Sequence, residues 1–291
     1  MFHHCSMLTA PPPPKRLFPI VFSDLDGTLL DHETYLFDAA RPALNALKAR
    51  DIPLILASSK TRAEMKCLAP QLGAAGLIFE NGGDVIWPEG LGAAVDGSVQ
   101  SPDYASIRAM LDSLPGELRK MVQGFGDMSN EEVASVTGLP PDAARLARQR
   151  EHSEPFVFSG SAAQLLEIEA AADSLGWQLV RGGRFNTITG RNTKATRLEQ
   201  IARAYAAMQS DGMQVYTIAL GDAPNDAAMI EAAGRGFIIA NPYGTQVPVL
   251  EGEDSGRITR STLPGPAGWS ESVLQALQEI DTLSDAGMTL G

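Results

Sequence analysis

Two carboxylates follow directly on a short apolar run near the start of the chain. Residues 20–23 have the composition of a buried strand, and the sequence continues Asp24-Leu25-Asp26-Gly27-Thr28. Alternate residues of a strand point the same way, so Asp24 and Asp26 are predicted to face together, with Gly27 permitting a sharp turn. Two such acids can share a divalent cation, or one can attack a substrate while the other moves protons. Taken alone, the segment also fits a strand that ends in an ordinary Asp/Gly turn.

A second apolar run far downstream also ends in acids. Residues 215–220 lead into Gly221-Asp222-Ala223-Pro224-Asn225-Asp226, and a helical pattern follows. In a doubly wound α/β fold, ligands collect at the carboxyl ends of the strands. We therefore expect the two acid-tipped strands to meet around one metal ion despite their separation in sequence.

Two further segments between these runs carry groups that suit a phosphate. Residues 52–57 form an apolar run that ends in Ser58-Ser59-Lys60-Thr61, which offers a hydroxyl and a helix N-terminus to an anion. Lys194 opens another helical stretch. Taken singly, Ser58 fits an ordinary helix cap and Lys194 an ordinary solvated lysine. Their order along the chain, together with the two acid pairs, favours a functional set.

The alternation of apolar periodicities predicts the fold class. Strands and helices alternate up to about residue 80, and the same alternation resumes after about residue 190. The intervening segment contains strands near 156–159 and 177–180 that flank a helix over 162–175, which favours an antiparallel α+β unit. We predict an α/β protein with a doubly wound, Rossmann-like parallel-sheet core and an inserted α+β cap. The predicted parts are a disordered tail (1–17), the core (18–85 and 189–291) and the cap (86–188).

Bulk composition excludes several classes of function. The formal net charge of -12 argues against a nucleic-acid partner, because phosphate backbones are held by clustered Lys and Arg. The two cysteines, Cys5 and Cys67, predict neither a disulfide framework nor a zinc knuckle, and the cytoplasm is the expected location. His3-His4-Cys5 fits a disordered terminus better than a metal site. No apolar run reaches the roughly twenty residues that a membrane helix requires.

The ordered set Asp24/Asp26, Ser58, Lys194 and Asp222/Asp226 resembles the four motifs of the haloacid dehalogenase-like phosphohydrolase superfamily. The long insert resembles the cap (type C2) of its Cof-like, sugar-phosphatase branch. Within that branch, three segments of the insert resemble cap motifs of the mannosyl-3-phosphoglycerate phosphatases, namely residues 124–129, 149–156 and 182–185.

The resemblance implies a role for each of these core residues. Asp24 is expected to attack phosphorus, and Asp26 to protonate the leaving group and then activate water. Ser58 and Lys194 are expected to bind the phosphoryl oxygens. The resemblance further implies Mg²⁺ as cofactor. Its expected ligands are the carboxylates of Asp24 and Asp222 and the backbone carbonyl of Asp26, with Asp226 beside them holding Lys194 or a metal-bound water.

Substrate recognition is expected to involve the cap and the cap hinge. The predicted substrate-binding residues are Lys60, Asn81, Gln149, Arg150, Glu151, Arg184 and Asn225. A glycerate carboxylate suits a guanidinium, and sugar hydroxyls suit Glu151, Gln149 or Asn186. Asn81 is equally interpretable as a turn residue without a function.

The function predicted first is hydrolysis of a phosphorylated sugar, mannosyl-3-phosphoglycerate, to mannosylglycerate and phosphate. Three alternatives stay open on the sequence alone. They are the same chemistry on another sugar phosphate (glucosyl-3-phosphoglycerate or sucrose phosphate), a phosphomutase that retains the phosphoryl group, and a non-catalytic binding module on the same fold.

Overall fold

The computed structural model describes residues 16–91, 100–181, 185–210 and 212–285. Its strands are β1 (Arg16–Ser23), β2 (Leu54–Ala57), β3 (Gly76–Phe79), β4 (Asp84–Ile86), β5 (Val122–Gly124), β6 (Ser153–Phe158), β7 (Gln178–Arg181), β8 (Asn186–Thr189), β9 (Met213–Gly221), β10 (Arg235–Ala240) and β11 (Ile258–Pro264). Its α-helices are α1 (Arg41–Ala49), α2 (Arg62–Leu72), α3 (Tyr104–Asp112), α4 (Gly116–Arg119), α5 (Asn130–Thr137), α6 (Pro141–Ala147), α7 (Ala162–Ser174), α8 (Lys194–Met208), α9 (Ala227–Ala232) and α10 (Gly265–Asp285). None of the described helices is long and apolar enough to cross a bilayer.

The core is a seven-stranded sheet in the order β11-β10-β9-β1-β2-β3-β4. Its strand pairs are parallel except for the antiparallel edge strand β4. Side chains alternate across β1: Val21 packs with α1, α2 and α10 on one face, whereas Ile20 and Phe22 pack with α8 and α9 on the other. Helices therefore cover both faces, and the predicted doubly wound α/β core is confirmed.

The cap is built on a four-stranded antiparallel sheet in the order β5-β6-β8-β7. One face of this sheet packs against α3 and α7 through an apolar cluster that includes Phe156, Ile168 and Ile188. The predicted strands near 156 and 178 and the helix from 162 are present. Strand β8 was not predicted because its four residues, Asn-Thr-Ile-Thr, supply a single large apolar side chain.

The N-terminal boundary differs from the predicted one by two residues. Strand β1 begins at Arg16, and both Arg16 and Leu17 pair with the start of β9. Residues that the sequence assigned to the tail thus extend the central strand. Residues 1–15, with the His3-His4-Cys5 segment, lie outside the described residues.

A partly exposed ionic cluster accounts for the first cap motif, residues 124–129. Asp127 accepts hydrogen bonds from Arg108, from Arg119 (2.8 Å) and from the Gly124 N–H (2.9 Å). The carboxylate of Glu154, which is fully buried, accepts from Arg108 at 2.7 Å. A Cβ at Gly124 would lie 2.0 Å from Glu154 Oε1, so the close approach requires glycine. The motif thus has a structural role in holding the cap together.

The ionic cluster makes the stability of the cap depend on pH. Burial alone raises the pKa of Asp127, but hydrogen bonds from Arg108 and Arg119 outweigh it and lower the pKa to about 2. Because the folded-state pKa lies below the unfolded value of 3.8, the stabilisation is present above pH 3.8 and is lost as the pH falls towards 2.

We therefore expect Asp127→Asn to lower the free energy of unfolding by about 1–2 kcal/mol at pH 7 and by less at pH 3. Urea unfolding at both pH values measures the difference. Asp254→Asn, in an exposed loop, is the matched control and is expected to change stability by less than about 0.5 kcal/mol at either pH. An Asp127→Asn effect that grows on acidification would contradict this account.

Candidate active site

The pairing of β1 with β9 creates an acidic cluster at the carboxyl edge of the sheet. The two strands are parallel and in register, with Ser23 opposite Leu220, so both chains leave the sheet at the same level. Asp24, Asp222 and Asp226 follow these strands, are buried, and place one oxygen each within 4.8 Å of one another. The two acid-tipped strands therefore meet, as their sequences predicted.

Lys194 lies among these carboxylates as their cationic partner. Its Nζ is 2.5 Å from Asp24 Oδ1 and 2.7 Å from Asp226 Oδ1, and the side chain is 2% exposed. Thr193 caps α8 by accepting a hydrogen bond from the Thr196 N–H, which fixes Lys194 as the first helical residue. Burial by itself lowers the pKa of Lys194, but Asp226 and Asp24 outweigh it and raise the pKa. Lys194 thus stays charged.

One lysine does not balance three buried acids. Burial raises the pKa of Asp24 well above its usual value, and repulsion from Asp226 raises it further despite the contact with Lys194. Burial raises the pKa of Asp222 as well. A cluster of hard oxygen donors with surplus negative charge is the environment that Mg²⁺ or Ca²⁺ prefers. The donor set therefore fits a divalent cation.

Hydrogen bonds hold both carboxylate oxygens of Asp222. Thr28 Oγ1 donates to Oδ1 at 2.5 Å, and Asn241 Nδ2 donates to Oδ2 at 2.5 Å. Gly27 has φ of +79°, and a Cβ there would lie 2.6 Å from Asp222 Oδ2, so only glycine permits this approach. The sequence did not identify Thr28 or Asn241 as site residues. Thr28 lies inside the D-x-D-G-T segment, whereas Asn241 simply follows β10 and carries no distinguishing signal.

Asp226 contributes negative charge to the cluster and also holds the backbone of the loop that carries Asp222. Besides Lys194, its carboxylate accepts hydrogen bonds from the backbone N–H groups of Asp222 (3.2 Å) and Ala223 (3.1 Å). A Cβ at Gly221 would lie 2.4 Å from Asp226 Cβ. Asp226 therefore folds the loop that presents Asp222 and positions Lys194.

The carboxylate of Asp26 lies apart from this cluster. Strand β1 ends at Ser23, so the alternation that was expected to align Asp26 with Asp24 stops before either acid. Asp26 Oδ2 instead pairs with Lys60 Nζ at 2.8 Å. Its other oxygen, Oδ1, is buried and has no hydrogen-bond partner among the described residues. Lys60, predicted to bind substrate, thus contacts the predicted acid/base.

Ser58 lies in the first turn after β2, beside the Asp26–Lys60 pair. It is 1% exposed, and its Oγ accepts a hydrogen bond from the Lys60 N–H at 3.3 Å. The cap of α2 is Thr61, whose side chain accepts from the Glu64 N–H. Ser58 is therefore not the helix cap that its sequence context allowed.

A cavity of about 250 Å³ lies between the core and the cap and reaches Lys194. Three of the predicted substrate-binding residues, Asn81, Arg150 and Asn225, line it. Asn225 Nδ2 donates to Asn81 Oδ1 at 3.3 Å. Asn81 has φ of +56°, so it is a strained turn residue as well as a cavity residue.

Three other predicted substrate-binding residues do not line this cavity. Glu151 forms a bidentate ion pair with Arg62 of the core, at 2.8 and 2.6 Å. Gln149 is exposed on the surface of the cap. Lys60 pairs with Asp26, and Arg184 lies outside the described residues.

Glu80, which sequence reasoning read only as the end of a strand, connects the core with the cap. Its carboxylate is 2% exposed and accepts hydrogen bonds from the N–H groups of Glu151 (2.9 Å) and His152 (3.0 Å) and from Ser153 Oγ (2.5 Å). The signal in the sequence was an acid at the end of an apolar run, directly before Asn81-Gly82.

The doubly wound sheet, the inserted cap and the acid-lysine cluster together are typical of capped phosphoryl-transfer enzymes with a Rossmann-like core. A family model described as haloacid dehalogenase-like hydrolase matches residues 21–92 and 150–243. The chain belongs to this family, and it is a phosphoric monoester hydrolase.

Two similar proteins cover almost the whole chain. Both are named glucosyl-3-phosphoglycerate/mannosyl-3-phosphoglycerate phosphatase. The one from Methanococcoides burtonii is 34% identical over 89% of this chain and 97% of its own length. The one from Persephonella marina is 32% identical over 90% of this chain and 98% of its own length.

Solved structures agree on the fold. A phosphatase of the haloalkanoate enzyme superfamily from Bacteroides thetaiotaomicron gives a TM-score of 0.61 at 19% identity and covers 95% of this chain and 99% of its own. The sucrose-phosphatase of a Synechocystis species gives a TM-score of 0.55 at 16% identity and covers 92% of this chain and 98% of its own.

The Arg62–Glu151 pair is expected to position the loop that carries Arg150. Arg62→Gln or Glu151→Gln should raise KM roughly 2- to 5-fold with little change in kcat, because the half-exposed pair orders the loop and touches no reacting atom. The double variant should be no worse than either single variant, since both remove the same interaction. Steady-state kinetics measure this.

Arg203→Gln, which breaks an exposed pair on α8, is the control. Additive effects in the double variant would contradict a shared role.

Proposed function

We propose that this protein is a Mg²⁺-dependent phosphatase that hydrolyses glycosyl esters of 3-phosphoglycerate, with mannosyl-3-phosphoglycerate as the first candidate. Both similar proteins are named for the glucosyl ester as well as for the mannosyl ester, so the glucosyl ester is the second candidate. The observation that carries the proposal beyond a general sugar phosphatase is a cation in the cavity wall that suits a second anionic group of the substrate.

Arg150 supplies that cation. Its Nη1 donates to the Ser59 carbonyl at 2.8 Å, which ties the guanidinium to the loop after β2. Its Nε is buried and has no hydrogen-bond partner among the described residues. A buried guanidinium nitrogen without a partner costs free energy unless a ligand accepts its hydrogen bond. A glycerate carboxylate matches this donor in charge, whereas a simple sugar phosphate such as a hexose phosphate carries the reacting phosphate as its one anionic group and has no second anion to offer.

The proposed chemistry gives the two aspartates of the first motif different roles. Asp24 attacks phosphorus and forms an aspartyl-phosphate, and the P–O bond to the leaving alkoxide breaks. Asp26 gives its proton to that alkoxide and then takes a proton from the water that hydrolyses the aspartyl-phosphate. The contact with Lys60 holds Asp26 in place, and Lys194 attracts the phosphoryl oxygens.

The proposed metal site consists of the carboxylates of Asp24 and Asp222 and the backbone carbonyl of Asp26. Asp226 is the remaining acid of the cluster, and its hydrogen bonds to Lys194 and to the Asp222 loop give it a positioning role. A bound Mg²⁺ supplies charge neutralisation between the nucleophile and the anionic phosphate. Thr28 and Asn241 orient Asp222 towards the cluster.

The proposal also covers the binding partners and the cellular location of the protein. The proposed substrate is a small phosphorylated sugar, and the acidic composition predicts no nucleic-acid partner. A cytoplasmic location is part of the same proposal.

The decisive experiment is phosphate release with Mg²⁺ from mannosyl-3-phosphoglycerate, glucosyl-3-phosphoglycerate, sucrose 6-phosphate and an aryl phosphate. We expect both glycerate esters to be preferred, and Asp24→Asn to lower kcat by at least about 10³-fold because it removes the nucleophile. Similar slow release from all four substrates would refute the substrate class. Conversion of a sugar phosphate to an isomer without free phosphate would favour a mutase, and ligand binding without turnover a binding module.

The role of Asn241 gives a separate test of the metal site. Asn241→Ala frees one oxygen of Asp222, so we expect the Mg²⁺ concentration for half-maximal activity to rise about 10- to 100-fold. Titration of activity with Mg²⁺ measures this shift. Asn45→Ala, on the exposed surface of α1, is the matched control. An unchanged Mg²⁺ requirement in Asn241→Ala would rule out this role.

A further inference from the structure

The cap sheet turns one of its two faces towards the cavity. Alternate residues of its strands line the cavity, while Phe156, Leu179 and Ile188 lie between them in sequence and pack into the apolar cluster of the cap. The lining residues are Ser153 and Pro155 of β6, Gln178 and Val180 of β7, and Thr187 and Thr189 of β8. These six side chains form the cap wall of the cavity.

The pairing of the strands arranges the cap wall in two rows of three. β8 lies between β6 and β7, and both pairs are antiparallel. One row is Ser153, Thr189 and Gln178, and the other is Pro155, Thr187 and Val180. We call these the Thr189 row and the Thr187 row after their central residues.

Each polar side chain of the Thr189 row already binds the protein. Ser153 Oγ donates to the Glu80 carboxylate at 2.5 Å. Thr189 Oγ1 donates to the His152 carbonyl at 3.3 Å, and Gln178 Nε2 donates to the Gly190 carbonyl at 2.8 Å. This row therefore fastens the cap to its hinge.

The Thr187 row differs in chemistry. Thr187 Oγ1 has no hydrogen-bond partner among the residues that the structure describes, and it is the only polar side chain of the row. Pro155 and Val180 lie on either side of it and present apolar surface to the cavity. Apolar surface with one placed hydroxyl matches a pyranose ring, which has apolar C–H faces and a rim of hydroxyl groups.

We propose that Thr187 is a specificity-determining residue that hydrogen-bonds a hydroxyl group of the sugar, while Pro155 and Val180 pack against the C–H face of the ring. This assignment rests on the proposed function, because it requires a glycosyl group on the phosphate ester. It divides recognition between two parts of the cap: Arg150 takes the carboxylate, and the Thr187 row takes the sugar.

The test compares a substrate with a sugar and one without. Thr187→Val keeps the shape of the side chain and removes the hydroxyl, so kcat/KM for the preferred glycosyl ester should fall about 2- to 10-fold, the range expected for one neutral hydrogen bond. The kcat/KM for 4-nitrophenyl phosphate should not change. Thr187→Ser retains the hydroxyl and should restore at least half of the lost discrimination. Thr262→Val, on exposed β11 in the core, is the matched control.

The outcomes separate this inference from the proposed function. If the wild-type protein hydrolyses the glycosyl esters but Thr187→Val leaves their kcat/KM unchanged, Thr187 does not read the sugar and this inference alone fails. An equal loss on both substrates overturns it too, because the loss is then structural. If the wild-type protein hydrolyses only the aryl phosphate, both the inference and the proposed function fail.

Discussion

The surplus of negative charge at the carboxyl edge of the sheet governs the rest of the site. Three buried carboxylates surround one ammonium group, and buried charges are tolerated only when they are paired and hydrogen-bonded. Lys194 stabilises two of the acids directly, and Thr28 and Asn241 hold the third. The negative charge that remains is the charge that a divalent cation would neutralise.

A second requirement is that the cap is held in a fixed position next to the carboxyl edge of the core sheet. The Glu80 carboxylate anchors the backbone of residues 151–153, and Arg197 donates to the Gly82 and Gly83 carbonyls on the opposite side of the same turn. Glu80 and Asn81 both have positive φ values, a strained conformation that these surrounding bonds maintain. The turn that leads towards the cap is thus also part of the wall of the cavity that reaches Lys194.

The sequence was most informative where a short local pattern carries a chemically distinctive residue. The acid-tipped strands, the lysine at the start of α8 and the β-α alternation each predicted their place correctly, because they depend on short-range patterns. The expected alignment of Asp24 with Asp26 depended on strand alternation, and β1 ends at Ser23, before both acids. The sequence did not identify Asn241, Arg62 or Glu80 as parts of the site, since their partners are remote in sequence. It also gave Glu151 a substrate role, although Arg62 occupies that carboxylate.

The sequence by itself thus determined the fold class, the family motifs and the residues that carry charge into the site. Only the tertiary structure decided which charges meet, because the paired groups are remote in sequence and the fold brings them together. Asp226 was assigned in this way to Lys194, and Asp26 to Lys60. The same holds for the cap wall: the register of β6, β7 and β8 places Thr187 between Pro155 and Val180 at the cavity, and no local pattern in Asn-Thr-Ile-Thr contains that information.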